Sequence, residues 1–303
     1  LLEAAATLGE PQRLPEVPRR EAQVVARLGL DLLLTAHDRA ALGGEGQLAR
    51  VVGDPEAQVE LGDLGRLAVV QPHVDVAIQS VDEGFPAEIF EDKGYNVETH
   101  GQKGFNGVAI LSKLPLEDVT RGLPGDDEDD QARWIEATIM GDAHAVRLCG
   151  LYLPNGNPAP GPKYDYQLAW MQRLHAHAQS LLAQEIPVVM AGDYNIIPQD
   201  EDAARPEAWR EDALALPDSR AAFRRILSLG YTEAFRARTQ APGMYSFWDY
   251  QAGAWDRNDG IRIDHHLLSP EAADLLKDCW IEKEVRGREK PSDHVPVWID
   301  LAA

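Results

Sequence analysis

The sequence predicts a layered α/β sandwich. Short apolar segments of strand character recur along residues 81–303, and two amphipathic segments of helical period lie among them. No internal repeat, zinc spacing or disulfide framework points to another architecture. At 303 residues the chain is long enough to bury about 75% of the surface its unfolded form exposes.

Upstream of residue 81 the signals are sparse. Residues 21–34 read as a helix, with Val24, Val25, Leu28 and Leu32 at helical spacing. Gly43-Gly44-Glu45-Gly46 reads as a loop, without the Lys-Ser/Thr ending of a phosphate-binding loop. Residues 67–70 and 74–78 read as short strands parted by Pro72. Residues 1–80 contain no Trp, Tyr or Phe, so they are poorly equipped to build a core of their own. The expectation is a divergent N-terminal region, 1–80, ahead of one folded domain, 81–303.

Within 81–303 each element has its own signal. Residues 108–111 are a buried strand after the Asn106-Gly107 turn. Residues 134–139 alternate in period two, and residues 145–153 form the next strand. Residues 164–183 are a helix with Leu168, Met171, Leu174, Ala178 and Leu181 on one face. Residues 187–190 are a strand that ends at Gly192. Residues 219–229 are a second helix, stopped by Gly230. Residues 261–268 and 295–301 are strands. The acidic run 126–130 reads as a solvated loop.

Composition narrows the function. With 29 Lys and Arg against 50 Asp and Glu, the net charge is −21, which argues against a broad nucleic-acid surface. A local basic patch or a bound divalent cation would still let such a chain meet phosphate. Cys149 and Cys279 read as buried reduced thiols, as in a reducing cytoplasm. No apolar run approaches the ~20 residues of a membrane span, and Leu1-Leu2-Glu3 does not open a signal peptide. The expectation is a cytoplasmic protein without a membrane partner.

The residues able to do chemistry follow strands. They lie in Leu151-Tyr-Leu-Pro-Asn-Gly156, Ala191-Gly-Asp-Tyr-Asn-Ile196, Gly260-Ile-Arg-Ile-Asp-His265 and Pro291-Ser-Asp-His-Val-Pro296. A side chain at the end of a strand sits on a rigid frame. Asp193 and Asn195 are two apart: a carboxylate accepts a proton from water or ligates a hard cation, and an amide holds a phosphate oxygen without adding charge. His294 needs a carboxylate on one ring nitrogen to fix its tautomer, and Asp264 is the candidate. His175 and His177 do not face each other on a helix, and His144, His265 and His266 receive no role.

In this order, the four segments resemble the exonuclease III group of the endonuclease/exonuclease/phosphatase superfamily. Gly101-Gln-Lys-Gly-Phe-Asn-Gly-Val-Ala-Ile-Leu-Ser112, Arg121-Gly-Leu-Pro-Gly-Asp126, Asn155-Gly-Asn-Pro158 and Tyr245-Ser-Phe-Trp-Asp-Tyr-Gln-Ala-Gly-Ala-Trp255 extend the likeness over about residues 81–303. Upstream, the group's strand-end Asn and Gln-Glu motifs have no clear counterpart, and Gln79-Ser80 stands where Gln-Glu would. The resemblance implies a four-layer α/β sandwich with two packed mixed β-sheets. It implies hydrolysis of DNA phosphodiesters with Mg2+ or Mn2+, one or two ions. The activities implied are 3′-to-5′ exonuclease, incision at abasic sites and cleaning of 3′ ends. Its partner would be double-stranded DNA with abasic sites or 3′ ends, bound by a monomer. Carried over, Asp193 would orient or deprotonate the water. Tyr152 and Asn195 would hold the phosphate, and His294, braced by Asp264, would stabilise the developing charge. Asp293, with Asp193 and Asn195, would bind the metal. Asn106, Asn155, Phe247, Trp248, Trp255 and Arg262 would bind substrate. Two other readings stay open: a weak or inactive DNA-binding relative lacking the metal-binding Glu, and a phosphoesterase on small substrates.

Overall fold

The computed structural model describes residues 73–76, 80–104, 106–141, 145–289 and 291–302, so the expected helix at 21–34 and strand at 67–70 lie outside the described residues. In chain order the strands are β1 (His73–Val76), β2 (Asn96–Gly101), β3 (Gly107–Ser112), β4 (Leu116–Arg121), β5 (Trp134–Met140), β6 (Ala145–Tyr152), β7 (Val188–Asp193), β8 (Thr232–Glu233), β9 (Asp264–Leu268), β10 (Leu276–Ile281) and β11 (Val297–Leu301). The helices are α1 (Ala87–Glu91), α2 (Pro162–Leu182), α3 (Pro217–Leu227), α4 (Ala234–Arg238) and α5 (Pro270–Asp274), with short 3-10 turns between elements.

Six strands form one sheet in the order β4-β5-β6-β7-β9-β8. β6 and β7 are its parallel pair, joined by α2, and its other neighbours are antiparallel. A parallel pair needs such a crossover, whereas antiparallel neighbours can be joined directly. The opposing strands form two antiparallel pieces, β1-β3-β2 and β10-β11. The large sheet is therefore mixed as expected, whereas the described part of the second layer is antiparallel. β1, upstream of residue 81, pairs with β3 and is a strand of this same fold.

Alternation along the strands sorts the core into layers. One set of buried side chains, among them Ile110, Ile135, Ala137, Leu148, Val189, Leu268, Val297 and Ile299, fills the space between the sheets. The next residues along, including Trp134, Cys149, Leu151, Met190 and Leu267, face α2 and α3 through Trp170, Met171, Leu174 and Phe223. On the far side Phe85 and Phe90 pack onto Ala109 and Leu111 of β3, beside α1. Four layers result: helices, large sheet, small sheets and α1.

The expected elements at 108–111, 134–139, 145–153, 164–183 and 187–190 are present with ends moved by one to three residues. The second helix begins two residues early, on Pro217. The expected strand at 261–268 holds its ladder only over Asp264–Leu268, and Ile261 makes isolated bridges to Ala203 and Phe247. β2, β4 and β10 had no clear sequence signal because they are polar and only partly covered. In the acidic loop Asp129 is not simply solvated: it accepts hydrogen bonds from Tyr166 and an ion pair from Arg173, which tie the loop to α2.

Candidate active site

The ends of β6, β7 and β9 bring Tyr152, Asp193 and Asp264 together. Tyr152 is in register with Asp193 across β6–β7, and Asp193 with Asp264 across β7–β9. Gly192 makes this approach possible: its φ is +149°, and a Cβ there would lie 1.9 Å from the carbonyl oxygen of Leu151. Two cross-strand carboxylates repel each other. Burial, followed by the charge of Asp264 and that of Asp293, lifts the Asp193 carboxyl to about 7, against the opposing pull of His294 and the Asn195 N–H.

His294 comes from the segment before β11 and reaches the same point. Its Nδ1 lies 3.0 Å from Asp264 Oδ2 and 3.2 Å from Oδ1. Phe247 lies against the ring, with centroids 5.0 Å apart. Burial alone would lower the imidazole pKa, but the charge and hydrogen bond of Asp264, then Asp193 and Asp293, push it up to about 10. His294 is thus an imidazolium at neutral pH, with Nδ1 held by Asp264 and Nε2 without a hydrogen-bond partner among the described residues. Tyr152 is raised to about 12 by burial and then by Asp193, so it stays a phenol able to donate. Arg133, which the sequence did not single out, sits 5.0 Å over the Tyr152 ring and donates to its carbonyl oxygen at 3.1 Å.

Asn195 turns the chain after β7 with φ +46°, a conformation Asn tolerates. Its N–H donates to Asp193 Oδ1 at 2.8 Å, and its Nδ2 donates to Leu153 O at 2.8 Å and Asp193 Oδ2 at 3.2 Å. Both amide hydrogens are in use inside the protein. Asn155 is exposed, and its Nδ2 gives one hydrogen to Asn195 Oδ1 at 3.0 Å. Its second amide hydrogen has no partner among the described residues. Half-buried Asp293 is placed by Trp248, whose N–H donates to its carbonyl at 2.8 Å.

Two expected substrate contacts are withdrawn. Arg262 is 1% exposed, and its guanidinium is held inside the protein by Asp202 at 2.9 Å, Glu233 at 2.8 Å and His265 Nδ1 at 3.0 Å. Trp248 is completely buried against Tyr245 and Trp255, and donates to Asn258. Phe247 and Trp255 are half-buried. Asn106 donates through its amide to Gln102 and Gln131. The sequence also left out Lys283 and Arg286. Lys283 lies over the rings of Trp248 and Trp255, and Arg286 donates to the Trp248 carbonyl; both clamp the aromatic loop.

Asp193, Asp264 and Asp293 crowd one imidazolium, leaving an excess of negative charge that raises Asp193. Hard oxygen donors with that excess fit a divalent cation such as Mg2+. No group of three or more His, Cys, Asp or Glu side chains converges as a ready-made metal cage among the described residues.

The fold and the site together define a layered α/β hydrolase centre with acids, amides and a braced histidine at its strand ends. The chain belongs to the endonuclease/exonuclease/phosphatase family, whose model matches residues 14–294, beginning upstream of residue 81. It is 35% identical to exodeoxyribonuclease III of Haemophilus influenzae, over 74% of this chain and 87% of that protein. Among solved structures it resembles an AP endonuclease from Archaeoglobus fulgidus, with TM-score 0.71 and 32% identity, covering 77% of this chain and 89% of the other. It also resembles a 3′ phosphatase from Neisseria bound to a product DNA hairpin, with TM-score 0.72 and 33% identity over 77% and 89% of the two chains.

Proposed function

We propose that this protein is a DNA repair nuclease that hydrolyses phosphodiester bonds by direct attack of water. Its substrates are abasic sites and 3′ ends of double-stranded DNA. The observation that carries the reading is the convergence of Asp193, Asp264 and the Asp264-held His294 at the ends of adjacent strands. Asp193, high in pKa for a carboxylate, orients the water and takes its proton. The His294 imidazolium meets a non-bridging oxygen as charge grows on it, and the Tyr152 phenol and the free amide hydrogen of Asn155 hold the phosphate. Asn195 then serves chiefly to hold Asp193. The Phe247 ring, packed on His294, offers an apolar wall for a sugar without its base.

Asp293, with Asp193 and the Asn195 carbonyl oxygen, would hold Mg2+, which when bound supplies positive charge against the phosphate oxygens. We place the enzyme in the cytoplasm as a monomer. No helix among the described residues is long and apolar enough to cross a membrane. Incubation with a duplex carrying one abasic site, with Mg2+ and with EDTA, tests the reading. Strand incision with Mg2+ alone is expected; equal cleavage of a small phosphate monoester and none of DNA would contradict it.

A further inference from the structure

Asn157 has no part in the chemistry above, yet its side chain sets the direction of a chain of amides. A backbone N–H can only donate and a backbone carbonyl can only accept, so each end of the chain is fixed. Asn157 Oδ1 accepts from the N–H of Ala213 at 3.1 Å, which turns its Nδ2 toward Asp212 Oδ1 and Asn155 Oδ1, each at 3.0 Å. The Asn157 N–H also reaches Asn155 Oδ1, at 3.3 Å. Asn155 Oδ1 is thereby held on the Asn157 side, and its Nδ2 faces Asn195 Oδ1 at 3.0 Å. At the other end the Leu153 carbonyl fixes Asn195 Nδ2, which donates onward to Asp193 Oδ2 at 3.2 Å. Every link agrees in direction from Ala213 to Asp193. Hydrogen bonds so aligned polarise one another.

The anchor is itself held. Asp212 Oδ1 also accepts from the Leu214 N–H at 2.9 Å, and fully buried Gln167 donates to the Asn155 carbonyl at 3.3 Å. Asn155 is exposed, so without the Asn157 side chain its oxygen keeps only the longer contact from the residue 157 N–H, at 3.3 Å, and the hold on the donor-outward amide is loosened.

We infer that Asn157 is a positioning residue, which fixes the amide of Asn155 with its donor side toward the phosphate and, through Asn195, steadies Asp193. The inference rests on the nuclease reading of the site, and the two can fail separately.

Two measurements on the full chain decide it. The first is a crystal structure of Asn157→Ala, which needs no activity. The Asn155 amide is expected to leave Asn195 or to turn over; an unchanged Asn155–Asn195 contact would overturn the inference, even if DNA is cleaved. The second is a double-mutant cycle for hydrolysis with Mg2+. Asn157→Ala should lower kcat about tenfold with little change in KM, and should add nothing in an Asn155→Ala background. Losses that simply multiply would mean a general structural role and would overturn it. Asn157→Asp keeps the volume and the Ala213 contact while removing the donor, and is read in the same way if Asn157→Ala does not fold. If the parent chain cleaves nothing, the nuclease reading fails and the crystal structure still decides the placement of Asn155.

Discussion

His294 and Asp264 form one unit: Nδ1 of the imidazole sits 3.0 Å from a carboxylate oxygen of Asp264, a residue 2% exposed at the start of β9, and Nε2 has no hydrogen-bond partner among the described residues. Asp264 also stands opposite Asp193, so the same carboxylate raises the pKa of Asp193 and of the imidazole. Asp264→Asn keeps the shape and removes the charge. It should lower kcat about 10²-fold, as outer partners of catalytic groups do. Its thermal midpoint should be equal or higher, because one of three crowded carboxylates is gone. Parallel kinetic and thermal measurements check both halves.

Arg262 belongs to stability rather than to substrate. It joins Asp202 and Glu233 inside the protein, and Glu233 is held down to about 2: burial would raise it, but Arg262 and then His265 outweigh that. Arg262→Met should destabilise the fold by about 3–5 kcal/mol, because buried Glu233 loses its guanidinium partner and Asp202 is left with Arg236 alone. Urea unfolding measures this, and a change below about 1 kcal/mol would contradict the network's importance.

The order of strands and helices around the site could be read from the sequence, because residues 134–139 alternate in period two, residues 145–153 are a mainly apolar run and α2 carries a clear apolar stripe. The Asp264–His294 pair was legible too, since imidazole chemistry asks for such a partner. Arg262 was not. An Arg between two apolar residues on a motif strand looks like a site cation, and only the placement of Asp202 and Glu233, distant in sequence, shows it to be internal. The amide chain was equally hidden, because it depends on Asn157, Asp212 and Ala213 meeting across a long connection.

His266 makes the fold sensitive to acid. It is buried, its Nδ1 has no partner among the described residues, and burial first, helped by His265 and opposed by Glu233 and Asp264, lowers its pKa to about 4 from 6.5. Between those values the unfolded chain holds a proton that the folded chain does not. Stability is therefore lost as pH falls through that window, by up to about 3 kcal/mol, with no further loss from this group below it. His266→Leu should flatten the slope there; an unchanged slope in denaturant titrations at several pH values would contradict the assignment.

DNA binding should be strongly salt-dependent despite a net charge of −21, because contacts to phosphates release counterions. Fluorescence anisotropy of a labelled duplex, with EDTA present to prevent cleavage, is expected to show affinity falling steeply with added salt. A flat response would favour a small phosphoester as substrate.

The most direct test is single-turnover hydrolysis of an abasic-site duplex by Asp193→Asn and by His294→Ala, each checked for an unchanged circular dichroism spectrum. Each variant should cleave at least ~10²-fold more slowly than the parent at saturating enzyme, as the roles proposed for both groups on the transition state require. Near-parental rates in both folded variants would contradict the assignment of the site to the ends of β7 and β9.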